Sequence, residues 1–331
     1  MNGRWALLPG LLLVVAVSAV ATLVSKVSVL LGAPVVGMVL GVLIALVRPP
    51  GAMLRPGVSL AARRCLRVAL VLFGTELSLG HVARIGARSI PVILGALAVA
   101  LGCTLVFARM LKVKGNLRIL IGVGTGVCGT SAIAAITPII GAAESDIAYA
   151  VGSIFALNTL AVVLFPILGH LMGMSQAAFG LWSGTAIHDT SSVLAAAYTI
   201  GPVAGHTSVV VKLTRSLMII PIALGLALHV AQARGTADRP KLSWRRIVPL
   251  FVFGFLAAVV VNSLGLIPHG WHPVLSSIAK FLVTLALTGI GLSLRLADIR
   301  KAGLRPLLLA STVWVCVAVA SLALQLLVNL D

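Results

Sequence analysis

The sequence predicts an all-α polytopic membrane protein with about 10–11 transmembrane helices, and three observations predict this class. First, 60% of the 331 residues are apolar and only 10% are charged, whereas a soluble domain carries about 25% charged residues. Second, apolar runs of spanning length recur along the chain. Third, basic residues cluster between those runs. This composition excludes a disulfide-rich secreted scaffold, a nucleic-acid-binding domain and a disordered tail.

The candidate spans follow from the bilayer thickness, because a hydrocarbon core of about 30 Å needs roughly 20 apolar helical residues. Eleven segments come close to this requirement. Two of them, 118–140 and 178–198, are dense in glycine, serine and threonine, so we predict broken helices or re-entrant hairpins there. The set is 5–25, 30–47, 65–80, 89–110, 118–140, 147–172, 178–198, 207–231, 247–266, 279–295 and 306–328.

The basic residues orient the chain, because cytoplasmic loops of membrane proteins are enriched in lysine and arginine. With the N-terminus inside, 19 of the 25 basic residues are cytoplasmic, which predicts a cytoplasmic N-terminus and an outside C-terminus. The first span also fits a cleaved signal peptide that ends near Ala21, although its full spanning length favours retention. We predict that the four cysteines are reduced; they are Cys65, Cys103, Cys128 and Cys316.

One internal repeat aligns segment 66–91 with segment 281–306 at a constant offset of 215. The loop charges make the two copies run in opposite directions, which is the inverted-topology arrangement of secondary transporters. Chance matching of Leu-rich helices is the alternative. We predict a single membrane domain over 1–331, with repeat-like segments at about 5–110 and 207–328. The identical positions include Gly74 and Gly289, Leu77-Ser78-Leu79 and Leu292-Ser293-Leu294, and Pro91 and Pro306.

A second, sharper repeat links the two polar segments at an offset of 60. Gly124–Ala135 aligns with Gly184–Ala195, and the Gly-Thr pair, the Thr-Ser pair and the last alanine recur identically. Threonine and serine prefer helix N-cap positions. We therefore predict an unwound stretch in each segment, followed by a new helix that begins near Thr130/Ser131 and near Thr190/Ser191.

Two such helix starts converging near the bilayer midplane would form an anion site, because free N–H groups and a partial positive charge face the ligand. Irregular backbone at this depth must line protein or a watery cavity. The alternative is tight packing of small residues between helices. The predicted substrate-binding residues are Gly126, Cys128, Gly129, Thr130, Ser131, Ala132, His188, Thr190, Ser191, Ser192, Lys212 and Arg215.

Charged residues within the predicted spans extend this hypothesis, since ionisable groups in a bilayer are costly and usually functional. Asp189 could carry a coupling proton, bind Na⁺, or hold His188 in one tautomer; a charge partner for a buried cation is the alternative. Lys212 and Arg215 share one helix face, and the arginine fork suits an oxyanion. Glu76 is the other predicted coupling residue, at a channel mouth or as a structural partner.

At these motifs the sequence resembles a family of bacterial inner-membrane proteins described as sulfate exporters. The likeness is carried by Gly126–Ile133 and Gly184–Thr190, and by the shorter Leu77–Leu79 and Gly291–Leu294. The family belongs to a wider group with sodium/proton antiporters and bile-acid symporters. The resemblance implies about ten spans, inverted repeats, crossing broken helices and an elevator-like movement. Cys128-Gly129 stands where the antiporters carry acidic residues, which argues against plain Na⁺/H⁺ exchange.

These observations predict a secondary active transporter that exports a small sulfate-, sulfite- or sulfonate-like anion by alternating access. The sequence has no phosphate-binding loop, so a proton or Na⁺ gradient is the expected driving force. We expect no enzymatic activity, no cofactor, no metal and no nucleic-acid partner. The expected partners are the anion, the coupling ion and the lipid bilayer, and the sequence does not decide between a monomer and a homodimer. The alternative function is a cation/proton antiporter that uses Asp189 and Glu76.

Overall fold

The computed structural model describes residues 7–27, 32–234, 250–293 and 303–328. Every regular element within these ranges is a helix, and six helices are long and apolar enough to cross a membrane, so the predicted fold class is confirmed. Two of the basic clusters on which the orientation depends, at 234–246 and 295–305, lie largely outside the described residues, so the orientation of the termini stays a prediction.

Fifteen α-helices follow one another along the described residues. A π-helical turn, Ala61–Cys65, joins two of them into one longer helix. The bounds are α1 Leu8–Val27, α2 Ala33–Val47, α3 Arg55–Leu60, α4 Leu66–Phe73, α5 Leu79–Met110, α6 Gly115–Gly126, α7 Thr130–Ile140, α8 Glu144–Leu171, α9 Gln176–Ala186, α10 Thr190–Ile200, α11 Pro202–Leu217, α12 Ile219–Arg234, α13 Leu250–Ser263, α14 His272–Leu292 and α15 Leu304–Leu327.

The third span begins earlier than the predicted 65–80, because helix runs from Arg55 through Phe73 with the π-helical turn inside it. Arg63 and Arg64, two of the 19 basic residues that the sequence predicts to be cytoplasmic, lie within this helix, where both side chains are exposed. A charged pair does not end a helix whose other face is apolar, since only one stripe of the helix is buried.

The chain divides into two compact units. The first unit comprises Met1–Ala83 and Phe251–Leu296. Within it, the repeat-related glycines lie at close backbone contacts: a Cβ on Gly74 would stand 2.5 Å from the Phe255 carbonyl oxygen, and one on Gly289 would stand 3.0 Å from the Ala62 nitrogen. The repeat therefore preserves small residues where membrane helices pack tightly.

The second unit comprises Arg84–Leu250 and Ala297–Asp331. Its core is aromatic where α8, α9 and α15 meet, with Phe165 stacked on Trp182 at a centroid distance of 4.3 Å. The Trp182 indole N–H donates to the Ala318 carbonyl at 3.0 Å, which fixes α9 against α15. This packing supports the region where the polar segments lie.

Both polar segments are broken helices, as the sequence predicts. In the first, α6 ends at Gly126 and α7 begins at Thr130; in the second, α9 ends at Ala186 and α10 begins at Thr190. The second halves are 11 residues each, so the repeat aligns without a gap. The N-caps differ from the expected threonine or serine: they are the preceding residues, Gly129 and Asp189.

Candidate functional site

The two breaks occupy equivalent positions in the repeat but have different backbone conformations. The first break contains Gly129 with φ 65° and ψ −128°, a conformation that only glycine adopts readily. The second contains Asp189 with φ −98° and ψ 140°, an extended conformation open to any residue. The glycine in the first motif is therefore required by the backbone, whereas the aspartate in the second is not.

Lys212 on α11 joins the two breaks. Its ammonium nitrogen donates to the carbonyl oxygens of Val127 at 3.2 Å and Ile187 at 2.6 Å. These two carbonyls are equivalent in the repeat. Because both lie within 3.2 Å of one nitrogen atom, the broken helices meet at their breaks, which is the crossing that the sequence predicts.

Arg215, one helical turn further along α11, binds the ends of the first half-helices. Its Nε donates to the Gly126 carbonyl at 3.0 Å and its Nη2 to the Thr125 carbonyl at 2.8 Å, while its Nη1 donates to the Thr185 carbonyl. Thr125 and Thr185 are again equivalent in the repeat. The C-terminal ends of α6 and α9 carry partial negative charge, which this fully buried guanidinium neutralises.

The direct contact of both cations with an anion stays a prediction. Lys212 and Arg215 do face the interior, with 0% of each side chain exposed. All three guanidinium nitrogens donate to backbone carbonyls, so three of the five N–H donors of the arginine already have acceptors. The sequence indicates that the two cations are buried, but it does not indicate their acceptors. Those acceptors are backbone carbonyl oxygens of helices far away in the chain.

Asp189 caps α10 and so occupies the positive end of that helix. Its carboxylate accepts a hydrogen bond from the Ser191 N–H at 3.0 Å and another from the Ser191 hydroxyl. Its own N–H donates to the Asn158 side-chain oxygen at 3.3 Å. Within the described residues, the carboxylate forms no ion pair with Lys212 or Arg215 and no hydrogen bond with His188, so neither the charge-partner nor the tautomer role is seen.

The N-terminal end of α7 has no such side chain, because its cap is Gly129. Thr130 is half-buried and Ser131 is exposed, and Asp189 and Thr190 are half-buried across the crossing. The remaining predicted binding residues are buried: Gly126, Cys128, Gly129, Ala132, His188, Ser191, Ser192, Lys212 and Arg215. The accessible part of the crossing is thus made by the starts of the second half-helices.

His188 is fully buried, and neither ring nitrogen has a hydrogen-bond partner among the described residues. Its Cβ lies 3.4 Å from where a Cβ on Gly129 would stand, so the residue packs against the cap of α7. Its ring centroid lies 6.4 Å from that of Trp314 on α15, whose buried indole nitrogen also has no partner. The sequence analysis did not identify Trp314 as a neighbour of the site. The available signal was a single tryptophan within an otherwise aliphatic span.

Glu76 lies in the first unit, in the turn Gly74–Glu76 after α4, and is half-buried. The second unit assembles the crossing from its own residues without Glu76. The coupling role of this glutamate therefore stays a prediction.

Six spanning helices and a pair of broken helices that meet at their breaks define a multi-span helical membrane protein. The chain belongs to the family described as Conserved hypothetical protein 698, which it matches over residues 9–310. It is similar to a UPF0324 membrane protein of Streptococcus pyogenes, with 37% identity over 96% of each chain. Similar proteins of the same description occur in Clostridium tetani (35% identity, 90% of each chain) and Fusobacterium nucleatum (31% identity, 89% of this chain and 91% of the relative). No solved structure matches the chain significantly.

Proposed function

We propose that the protein is a secondary active transporter for a small anion of the sulfate, sulfite or sulfonate type, with export as the direction that the sequence resemblance implies. The observation that carries this proposal is the accessible N-terminal end of α7, which has no acidic cap and lies beside a fully buried, unpartnered imidazole. Helix N-terminal N–H groups and their partial positive charge bind anions readily.

The charges around the crossing support an anion over a cation. Lys212 and Arg215 are both fully buried, and Asp189 is the one acidic residue of the two described breaks. Asp189 already serves the N-terminal end of α10. The second break has its own negative group, the Asp189 carboxylate. An anion at the start of α7 would supply an equivalent negative charge at the first break.

The proposed cycle uses the crossing as a single binding site. The anion docks on the N–H groups around Thr130–Ala132, with the hydroxyls of Ser131 and Thr190 as further donors. Lys212 and Arg215 contribute positive charge, while most of their N–H donors hold backbone carbonyls. Alternating access then opens the site to one side of the membrane and afterwards to the other, driven by an ion gradient.

Cation/proton antiport is the second candidate, and one observation favours it. Asp189 is a half-buried carboxylate at the crossing, next to the Asn158 side chain, and such a group can bind a cation or a proton. This function predicts that transport follows Na⁺ or K⁺ and ignores added anions. It uses Glu76 as the second acidic residue.

Flux into proteoliposomes tests the proposal. Wild-type protein should transport at least one of radiolabelled sulfate, sulfite and thiosulfate, and this flux should not require Na⁺ or K⁺. Cation flux with no anion flux would instead favour the antiporter.

A matched pair of variants at Ser131 tests the site itself. Ser131 is exposed in the first turn of α7, so Ser131→Asp adds a carboxylate at the helix start without a folding cost. We expect at least about a tenfold lower anion flux for Ser131→Asp than for the neutral isostere Ser131→Asn, since the added charge occupies the site. Equal flux in the two variants would contradict anion binding at α7.

A further inference from the structure

We infer that His188, and not Asp189, is the proton-binding group of this transporter, and that its proton is carried together with the anion. The inference rests on the proposed anion transport and goes beyond it by assigning the coupling ion and the residue that holds it. Three features of the crossing support this inference. The Asp189 carboxylate already caps α10, and neither ring nitrogen of His188 has a hydrogen-bond partner among the described residues. In addition, His188 packs against the cap of α7.

Asp189 is already used as the cap of α10. Its carboxylate accepts from both the backbone and the hydroxyl of Ser191, and it faces the positive end of α10. This side chain therefore has a structural role that a neutral asparagine can nearly fulfil and that needs no proton.

His188 can accept a proton without losing any hydrogen bond. Both of its ring nitrogens are buried without a hydrogen-bond partner in the part of the chain that the structure describes, and a neutral imidazole has one nitrogen that can accept a proton. An unsatisfied buried polar group costs about 1–3 kcal/mol, so a fold that maintains one has a use for it. Binding and release of a proton at this ring are consistent with such a use.

The surrounding charges link this proton to the anion. The groups that face the second break are Lys212 and Arg215 from α11, Cys128 from the first break and Asp189 beside it; α15 contributes the non-titrating Trp314. A proton on His188 adds a third positive charge to the two of α11. An anion at the start of α7, against which His188 packs, compensates that charge, so each ligand strengthens binding of the other.

The proton balance of the cycle is simple. A ring nitrogen of His188 takes one proton from water on the side where the anion enters. After the crossing opens to the other side, the anion leaves and the same nitrogen returns the proton to water there. No other bond is made or broken, and each anion moves with one proton.

Anion accumulation driven by a pH step tests this assignment. Proteoliposomes containing wild type, His188→Gln, Asp189→Asn or His229→Gln are given radiolabelled sulfate, sulfite or thiosulfate with and without a gradient of about one pH unit. Wild type should accumulate the transported anion about tenfold more per pH unit, the ratio for one coupled proton. His188→Gln should show equal accumulation with and without the gradient. Asp189→Asn should keep the ratio, because asparagine also caps a helix.

His229→Gln is the matched control, since His229 is exposed on α12 and should keep the ratio. A His188→Gln protein that still accumulates anion about tenfold overturns the inference, as does loss of the ratio in Asp189→Asn alone. Wild type that transports no anion removes the proposed function itself, whereas wild-type flux that ignores pH removes only the assignment of the proton.

A second measurement does not depend on the folding of a variant. Addition of the transported anion to wild-type protein in weakly buffered detergent solution should take up about one proton per bound anion, which a pH indicator dye records. No uptake by a protein that binds the anion would overturn the inference.

Discussion

The two breaks of the crossing use the same backbone contacts but different side chains. In both, carbonyl oxygens at equivalent positions receive hydrogen bonds from Lys212 and Arg215. The residues that close the breaks differ: the N-cap is Gly129 in one and Asp189 in the other. The duplicated segments thus keep a shared scaffold of carbonyl acceptors, while one helix start stays open and the other is closed by its own carboxylate.

The largest expected effect comes from removing Arg215, whose guanidinium binds carbonyls at the ends of both α6 and α9. Arg215→Ala leaves the carbonyls of Thr125, Gly126 and Thr185 without their donor, and each buried acceptor costs about 1–3 kcal/mol. The free energy of unfolding should therefore fall by at least about 3 kcal/mol, measured by thermal unfolding in detergent. The control Arg109→Ala removes an exposed arginine on α5 and should change little. Equal losses in the two variants would contradict the capping role.

Lys212→Met should have the next largest effect, because two carbonyls lose their donor. We expect a destabilisation of about 2 kcal/mol or more. Hydrogen exchange should also become faster at both breaks, around Gly129 and around Asp189, since the same nitrogen atom holds both. Faster exchange at one break alone would show that the two are not linked through this side chain.

Gly129→Ala tests the backbone difference between the breaks. With φ 65° and ψ −128°, an alanine is strained and should lower the free energy of unfolding by about 1–2 kcal/mol. Gly102→Ala is the matched control, since Gly102 lies inside α5 with no atom near its added Cβ. That control should be neutral or slightly stabilising. Similar thermal midpoints for the two alanine variants would refute the strain argument.

The smallest effect is expected at the side-chain cap of the second break. Asp189→Ala should destabilise the protein by about 1 kcal/mol, whereas Asp189→Asn should cost only a few tenths, because asparagine caps helices nearly as well as aspartate. Chemical unfolding of the two variants side by side measures the difference. If alanine and asparagine behave alike, the hydrogen bond to Ser191 contributes nothing.

The sequence predicts the positions of the breaks well because their signal is local. Glycine weakens a helix and Thr-Ser pairs favour its start, so the restarts at Thr130 and Thr190 follow from the motifs alone. The interhelical hydrogen bond of Asn158 also follows from a polar side chain within a span. The caps were misplaced by one residue, since Gly129 provides a backbone conformation and not a side-chain oxygen.

The partners of the buried cations could not be predicted in this way. Arg215 binds carbonyls of residues 30 to 90 positions earlier in the chain, and every residue has such a carbonyl, so no residue type marks the acceptor. A pattern of side chains therefore suggests an anion as the partner of an arginine. Only the packing of α11 against both breaks reveals that the backbone itself is the acceptor.

The gapless match of the two segments has a consequence for how this gene can change. One residue inserted into α6 or α9 would turn the end of that helix by about 100°, which would point its carbonyls away from Arg215. Length variation should therefore be confined to the connections outside the duplicated stretches. The spacing of 60 residues between the copies includes all of α8 and its connections, which can vary in length, while the length of each copy is constrained by its contacts with one guanidinium.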